Sequence, residues 1–206
     1  MAEQSRTLLL ASTSQYRSEL LKKLGIAFTQ IDPGYVEAAV EGETAADKSL
    51  RLAQGKALAA VALLQSGAHH DDPALIIGSD QVAHSNSTSF SKPGNYPNAF
   101  SQLKQCSGQW VTFSTGVCLT DRQGQVIAHF CEEYHLRFRD LDDNLIHWYL
   151  ELEQPFDCAG SIKAEAHGIT LIEDTRGQDI NTLYGLPLIR LQTELTKAGL
   201  GPINSN

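Results

Sequence analysis

Apolar positions along the chain fall into two patterns: short unbroken runs, as in buried strands, and positions recurring every three to four residues, as in amphipathic helices. Leu8, Leu9 and Leu10 predict a strand over 7–11, and Leu20, Leu21 and Leu24 supply the stripe of a helix over 14–24 that Gly25 stops. Thr44 with Asp47 three residues on reads as a helix start, after which Leu50, Ala53, Ala57, Val61 and Leu64 recur at helical spacing as far as Gly67. Ala74, Leu75, Ile76 and Ile77 form a wholly apolar run of the kind a central strand shows when both faces are covered. That strand is expected to end at Gly78, Ser79 and Asp80, setting polar groups at its exit.

Residues 84–96 are rich in Ser, Asn, Pro and Gly and read as a surface loop or ragged hairpin carrying Lys92. Two β-type runs, 110–120 and 125–139, flank Asp121, Arg122, Gln123 and Gly124, a hairpin turn signal. A helix is expected over 140–153, with Leu141, Leu145, Trp148 and Leu152 on one side, then a strand over 169–172 and a last helix from Pro187 to Gly199. The alternation of strands and helices predicts a single α/β domain over 1–206 with a mixed sheet, because a hairpin has no place in a purely parallel one.

Charge narrows what such a domain can bind. A net charge of −8 argues against a nucleic-acid surface, although a small polyanion can still be captured where a few Lys and Arg converge. The opening MAEQSRTLLLAS is too short in apolar residues for a signal segment or a membrane span, which places the chain in the cytoplasm. Cys106, Cys118, Cys131 and Cys158 form no C-x-x-C clip and read as idle thiols. His69, His70, Asp71 and Asp72 have metal-binding chemistry but sit between helix and strand, and read as a solvated loop. P-loop, dinucleotide-binding and serine-hydrolase motifs are all missing from the sequence.

Three places could carry chemistry. Ser12, Ser14 and Arg17 lie where a strand feeds a helix, so hydroxyls, free N–H groups and a guanidinium could cradle an anion; the alternative is a helix cap beside an exposed arginine. Asp80 follows the apolar strand, where a carboxylate can hold a metal or take a proton from water, or can simply bond to a turn. Glu37, Lys56, Lys92, Lys163 and Glu165 are the charges that phosphoryl transfer calls for, or else solvated surface groups.

Seven segments, taken in order, resemble the Maf-like family of nucleoside triphosphate pyrophosphatases: LLLASTSQYRSELLKKLGI, RLAQGKA, LIIGSDQV, SKP, SGQWVTFSTGV, CAGSIKAEAHGITLIE and GQDINTLYGLPLIRL. The resemblance implies an elongated mixed β-sheet flanked by helices in two lobes (Maf/ITPase-like), with the site in a central cleft, and a homodimer. It implies hydrolysis of a nucleoside triphosphate between the α- and β-phosphates. Ser12, Ser14 and Arg17 would contact the triphosphate, Glu37 and Asp80 would hold Mg²⁺ or Mn²⁺, Asp80 would accept the proton, and Lys56 and Lys92 would stabilise developing charge. Tyr16, Gln81 and Glu165 occupy the positions that separate the subfamilies, and the combination is similar to the 7-methyl-GTP branch. An N7-methylated guanine is cationic, so an electron-rich ring and a carboxylate would favour it over neutral bases. Ser18, Val36 and Ser91 depart from the family's arginine, aspartate and glycine, and Tyr16 stands where that branch has tryptophan. Loss of one arginine implies a weaker triphosphate grip. The rival expectations are a dTTP, UTP or CTP pyrophosphatase of the same family, and an inactive nucleotide-binding regulator of cell division.

Overall fold

Short polar side chains decide where four of the helices begin. Ser14, Thr44, Asn95 and Asp142, all with extended backbone, accept the N–H three residues on and so start α1 (Gln15–Lys22), α2 (Ala45–Gln65), α3 (Tyr96–Cys106) and α4 (Asp143–Glu153). The last helix, α5 (Leu188–Lys197), follows Pro187, which has no side chain to cap it. The computed structural model describes residues 7–67, 73–86 and 88–201; the loop read at His69 to Asp72 lies outside them.

The strands are β1 (Leu8–Ala11), β2 (Phe28–Ile31), β3 (Leu75–Ser85), β4 (Thr88–Phe90), β5 (Trp110–Asp121), β6 (Val126–Phe138) and β7 (Ile172–Arg176). They form one sheet in the order β2-β1-β3-β5-β6-β7, with β4 paired to β3. β1 runs parallel to β2 and β3, while β3 with β4 and β6 with β7 are antiparallel, so the sheet is mixed as expected.

The chain divides into two compact units. Of the described residues, the first holds those between 7 and 80, 115–132 and 179–201. Its central strands are covered on both faces, which explains their unbroken apolar runs: Leu8, Leu10, Leu75 and Ile77 pack with Leu20, Leu21, Leu191 and Leu195 of α1 and α5, while Leu9, Ala11 and Ile76 pack with Ala53, Ala57, Ala60 and Val61 of α2. Helix α2 lies so close to the sheet that only glycine fits beneath it. A Cβ on Gly78 would stand 2.1 Å from the Ala53 carbonyl oxygen, and one on Gly116 2.4 Å from the Ser49 carbonyl.

The second unit holds residues 81–114 and 133–178. Helix α4 buries Ile146, Tyr149 and Leu150 there, and leaves Trp148 and Leu152 exposed. The face read from Leu141, Leu145, Trp148 and Leu152 therefore holds only in part: Leu141 is buried but precedes the helix, Leu145 is half-buried, and the other two face outward. A second apolar set, Ile146, Tyr149 and Leu150, faces the interior instead, and there the Tyr149 hydroxyl accepts the Lys163 N–H at 2.9 Å.

Other expectations also shift. β3 does not stop at Asp80 but runs on to Ser85, where it turns back through β4, so that Asp80 lies within a strand. Residues 167–171 form a 3₁₀ turn rather than the start of a strand, because Gly168 and Ile169 N–H bond back to Lys163 and Ala166. Two elements, β2 and α3, have no counterpart in the sequence reading. β2 has four residues, and α3 buries only Ala99, Leu103 and Cys106, a stripe too thin to stand out. Among the described residues no helix is long and apolar enough to cross a membrane.

Candidate functional site

The close docking of α2 onto β3 places the most reactive pair. Gly78 touches α2 at Ala53; two residues further along β3 and three further along α2 stand Asp80 and Lys56. Strand residues two apart share a face, so this contact sets lysine against aspartate. Lys56 Nζ lies 2.6 Å from Asp80 Oδ1 and 2.7 Å from Glu37 Oε1. The Lys56 and Asp80 side chains are 15% and 13% exposed, whereas Glu37 is 47% exposed, so the Asp80 arm is the better shielded from solvent.

The strand-to-helix corner before α1 lies in the same unit. Ser12 is buried and its hydroxyl accepts from the Ser14 N–H at 3.2 Å; Ser14 in turn caps α1 by accepting from the Arg17 N–H at 3.4 Å. Both hydroxyls thus serve the cap, and the cap holds the guanidinium. Arg17 Nη1 donates to Ser12 Oγ at 3.4 Å and Nε donates to the Gly185 carbonyl at 3.1 Å. Burial pushes the Arg17 pKa down, while the charges of Asp80 and Glu37 push it back up, so the arginine stands in the field of both carboxylates. Tyr16, its neighbour on α1, is 38% exposed. Ser18 is buried, and Val36 is 85% exposed beside Glu37.

In the second unit, Gln81 is half-buried on β3 immediately after Asp80. Lys92 is exposed between β4 and α3, next to a pocket of about 280 Å³ that it lines with Ser91, Asn98 and Gln102. Glu165 is exposed in the turn before the 167–171 segment. Lys163 does something else: its Nζ donates to the Glu153 carbonyl at 2.8 Å, satisfying the C-terminus of α4. His84 Nε2, Ser114 Oγ and Glu133 Oε1 form a chain with separations of 3.2 and 3.0 Å. Here the serine proton points at the carboxylate, the wrong way round for a nucleophile.

Two residues of this neighbourhood, Gln30 and Gly185, have no part in the sequence reading of the site. Gln30 of β2 donates to the Ser12 and Ser14 carbonyls at 2.7 and 3.2 Å, and buried Ser79 donates to the Gly185 carbonyl at 3.1 Å. Their only signal was position: Gln30 is the polar break in a short strand, and Gly185 lies inside a motif that carried no assigned chemistry.

Among the described residues no three or more His, Cys, Asp or Glu gather as a metal site. Glu37 and Asp80 nevertheless converge on a single cation, the Lys56 ammonium. Two hard carboxylates, with further oxygens drawn from phosphates and water, are the set that Mg²⁺ or Mn²⁺ takes, so the residues fit such an ion.

The site is thus a shielded carboxylate within β3, a lysine of α2 and a hydrogen-bonded arginine of α1 gathered on one mixed α/β sheet, groups whose chemistry can move a proton and hold a small polyanion. The chain belongs to the Maf-like protein family, which it matches over residues 7–198. It is 46% identical to a 7-methyl-GTP pyrophosphatase of Pseudoalteromonas atlantica, covering 92% of this chain and 94% of that one. A 7-methyl-GTP pyrophosphatase of Bordetella avium is 42% identical over 98% of each chain, and one of Vibrio vulnificus 41% identical over 94% of this chain and 95% of its own.

Proposed function

We propose that this chain is a nucleoside triphosphate pyrophosphatase that hydrolyses the α–β anhydride of 7-methyl-GTP to the nucleoside monophosphate and pyrophosphate. The observation that carries the chemistry is the meeting of Asp80 and Glu37 on Lys56, within the field of Arg17. The choice of base draws on the full-length relatives and on Tyr16, Gln81 and Glu165.

Hydrolysis forms a bond from a water oxygen to phosphorus and breaks the bridging P–O bond, whose electron pair leaves on the departing phosphate. Asp80 accepts the water proton, and the Lys56 ammonium on its Oδ1 fixes the carboxylate's orientation before substrate arrives. Arg17, anchored through Nε and Nη1, keeps further N–H donors for phosphate oxygens, and Ser12 and Ser14 hold it in that pose. Lys92 adds positive charge for the phosphates. Mg²⁺ or Mn²⁺ held by Glu37 and Asp80 would neutralise phosphate oxygens and make the phosphorus more electrophilic. A ring at Tyr16 and a carboxylate at Glu165 favour the cationic N7-methylated guanine, with Gln81 beside Asp80 completing the selection. We place the enzyme in the cytoplasm, which cell fractionation tests, and as a homodimer, which gel filtration with light scattering tests.

The deciding experiment is pyrophosphate release from 7-methyl-GTP, GTP, dTTP, UTP and CTP, each with Mg²⁺, Mn²⁺ or chelator. The expected result is metal-dependent turnover with kcat/KM highest for 7-methyl-GTP. Preference for a pyrimidine nucleotide would reassign the substrate, and binding without any release would make the chain a nucleotide-binding regulator.

A further inference from the structure

The segment GQDINTLYGLP matched the family but carried no chemistry, and in the structure it reaches the charged cluster from behind. Residues 180–186 form a tight turn closed by bonds from Thr182 N–H to the Asp179 carbonyl, Leu183 N–H to Ile180, and Tyr184 and Leu186 N–H to Asn181. The Gly185 carbonyl within it accepts from two side chains at once: Arg17 Nε at 3.1 Å and Ser79 Oγ at 3.1 Å. Ser79 is the residue before Asp80. One oxygen therefore ties the phosphate-facing arginine of α1 to the strand that carries the proton acceptor.

Gly185 has φ +111°, and a Cβ there would meet Arg17 Cγ and Nε at 3.5 Å, so glycine suits both the backbone and the arginine laid over it. The turn is held in turn by Asp179, a residue 6% exposed. Asp179 Oδ1 accepts from Asn181 N–H at 2.9 Å and from Asn181 Nδ2 at 2.6 Å; Oδ2 accepts from Ile189 N–H at 2.8 Å. The carboxylate thus caps both the turn and α5, which Pro187 leaves uncapped. Thr115 Oγ1 donates to the Thr182 carbonyl at 2.9 Å and Lys23 Nζ to Asn181 Oδ1 at 3.2 Å, steadying the turn against β5 and the end of α1.

We propose that Asp179 is a positioning residue: by holding the 180–186 turn it sets the Gly185 carbonyl, and through it aims Arg17 at the phosphates beside Asp80. The inference rests on the pyrophosphatase reading above. It predicts that Asp179→Ala raises KM for 7-methyl-GTP about tenfold, the worth of one well-placed hydrogen bond to a charged group, with a smaller change in kcat.

A purely structural role would lower the melting temperature and reduce activity by the same factor in any background. The test is therefore a cycle with Arg17→Lys, which keeps a cation but lacks the Nε link: the Asp179→Ala effect on KM should vanish there, and an undiminished effect overturns the proposal. Asp179→Asn, which keeps the side-chain volume if the alanine variant fails to fold, should show a smaller rise that vanishes in the same background. Exchange of the Arg17 Nε proton, identified by NMR through its loss in Arg17→Lys, needs no turnover. It should quicken about tenfold in Asp179→Ala, and by a smaller factor in Asp179→Asn, while the amide spectrum is retained. Unchanged exchange overturns the positioning role. Absence of turnover by the wild-type protein overturns only the pyrophosphatase reading.

Discussion

The contact of α2 with β3 at Gly78 makes the sharpest prediction, because it joins packing to chemistry. In Gly78→Ala the new Cβ would lie 2.1 Å from the Ala53 carbonyl oxygen and 2.7 Å from the Ala57 nitrogen. Both are backbone atoms in the middle of a helix, so no side chain can swing aside. A Cβ closer than 3.0 Å to such an atom is not tolerated, so helix and strand must part by about 0.9 Å. Overpacking of this kind costs about 3 kcal/mol, a melting-temperature loss of roughly 6–12 °C for a chain of this size. The same displacement lengthens the 2.6 Å contact of Lys56 with Asp80, and a misplacement near 1 Å at reacting groups lowers kcat/KM by about 100-fold. Calorimetry and pyrophosphate release measure the two effects on one preparation. Gly55→Ala is the control: the atoms nearest its Cβ all belong to the far end of the Tyr35 side chain, which can turn away, so stability should stay within about 1 kcal/mol of wild type. If Gly78→Ala were as stable and as active as wild type, the argument that helix docking sets the Lys56–Asp80 geometry would be wrong.

Three further outcomes follow. Asp80→Asn should lower kcat by at least about 100-fold, the usual worth of a general base, while nucleotide binding followed by calorimetry persists; wild-type turnover would remove Asp80 from its role. Lys56→Met leaves two carboxylates without their shared cation; the shielded Asp80 arm places the cost near 2 kcal/mol, between exposed and buried pairs, and a gain in urea stability would contradict it. Burial pushes the Cys106 thiol up to about 12 and Cys118 to about 11 from an ordinary 9.0. The unfolded chain therefore releases these protons first, and stability is full below pH 9 and falls as pH rises, by up to about 1.4 kcal/mol per unit for each thiol, with the Cys118 share ending near pH 11 and the Cys106 share near pH 12; unfolding curves that stay flat across that window would refute it.

The amino-acid sequence by itself determined a good part of this. The caps at Ser14 and Thr44, the stripes of α1 and α2, the apolar cores of β1 and β3, the 121–124 turn and the last helix all follow from interactions within a few residues, which periodicity records faithfully. Ser12, Arg17, Glu37, Lys56 and Asp80 are legible in the sequence as charged or hydroxyl groups that phosphoryl chemistry calls for, and the family motifs order them. Only the tertiary structure decided which charges meet. Lys56 and Asp80 stand 24 residues apart and touch because Gly78 admits the backbone of α2; Lys163, chemically equivalent on paper, is spent on the end of α4. Gly185 reaches Arg17 across 168 residues of chain, a contact that no local pattern encodes. Which stripe of α4 is buried, and how far β3 continues past Asp80, were likewise settled by the neighbouring elements, because burial is a property of what packs against a surface and not of the surface alone.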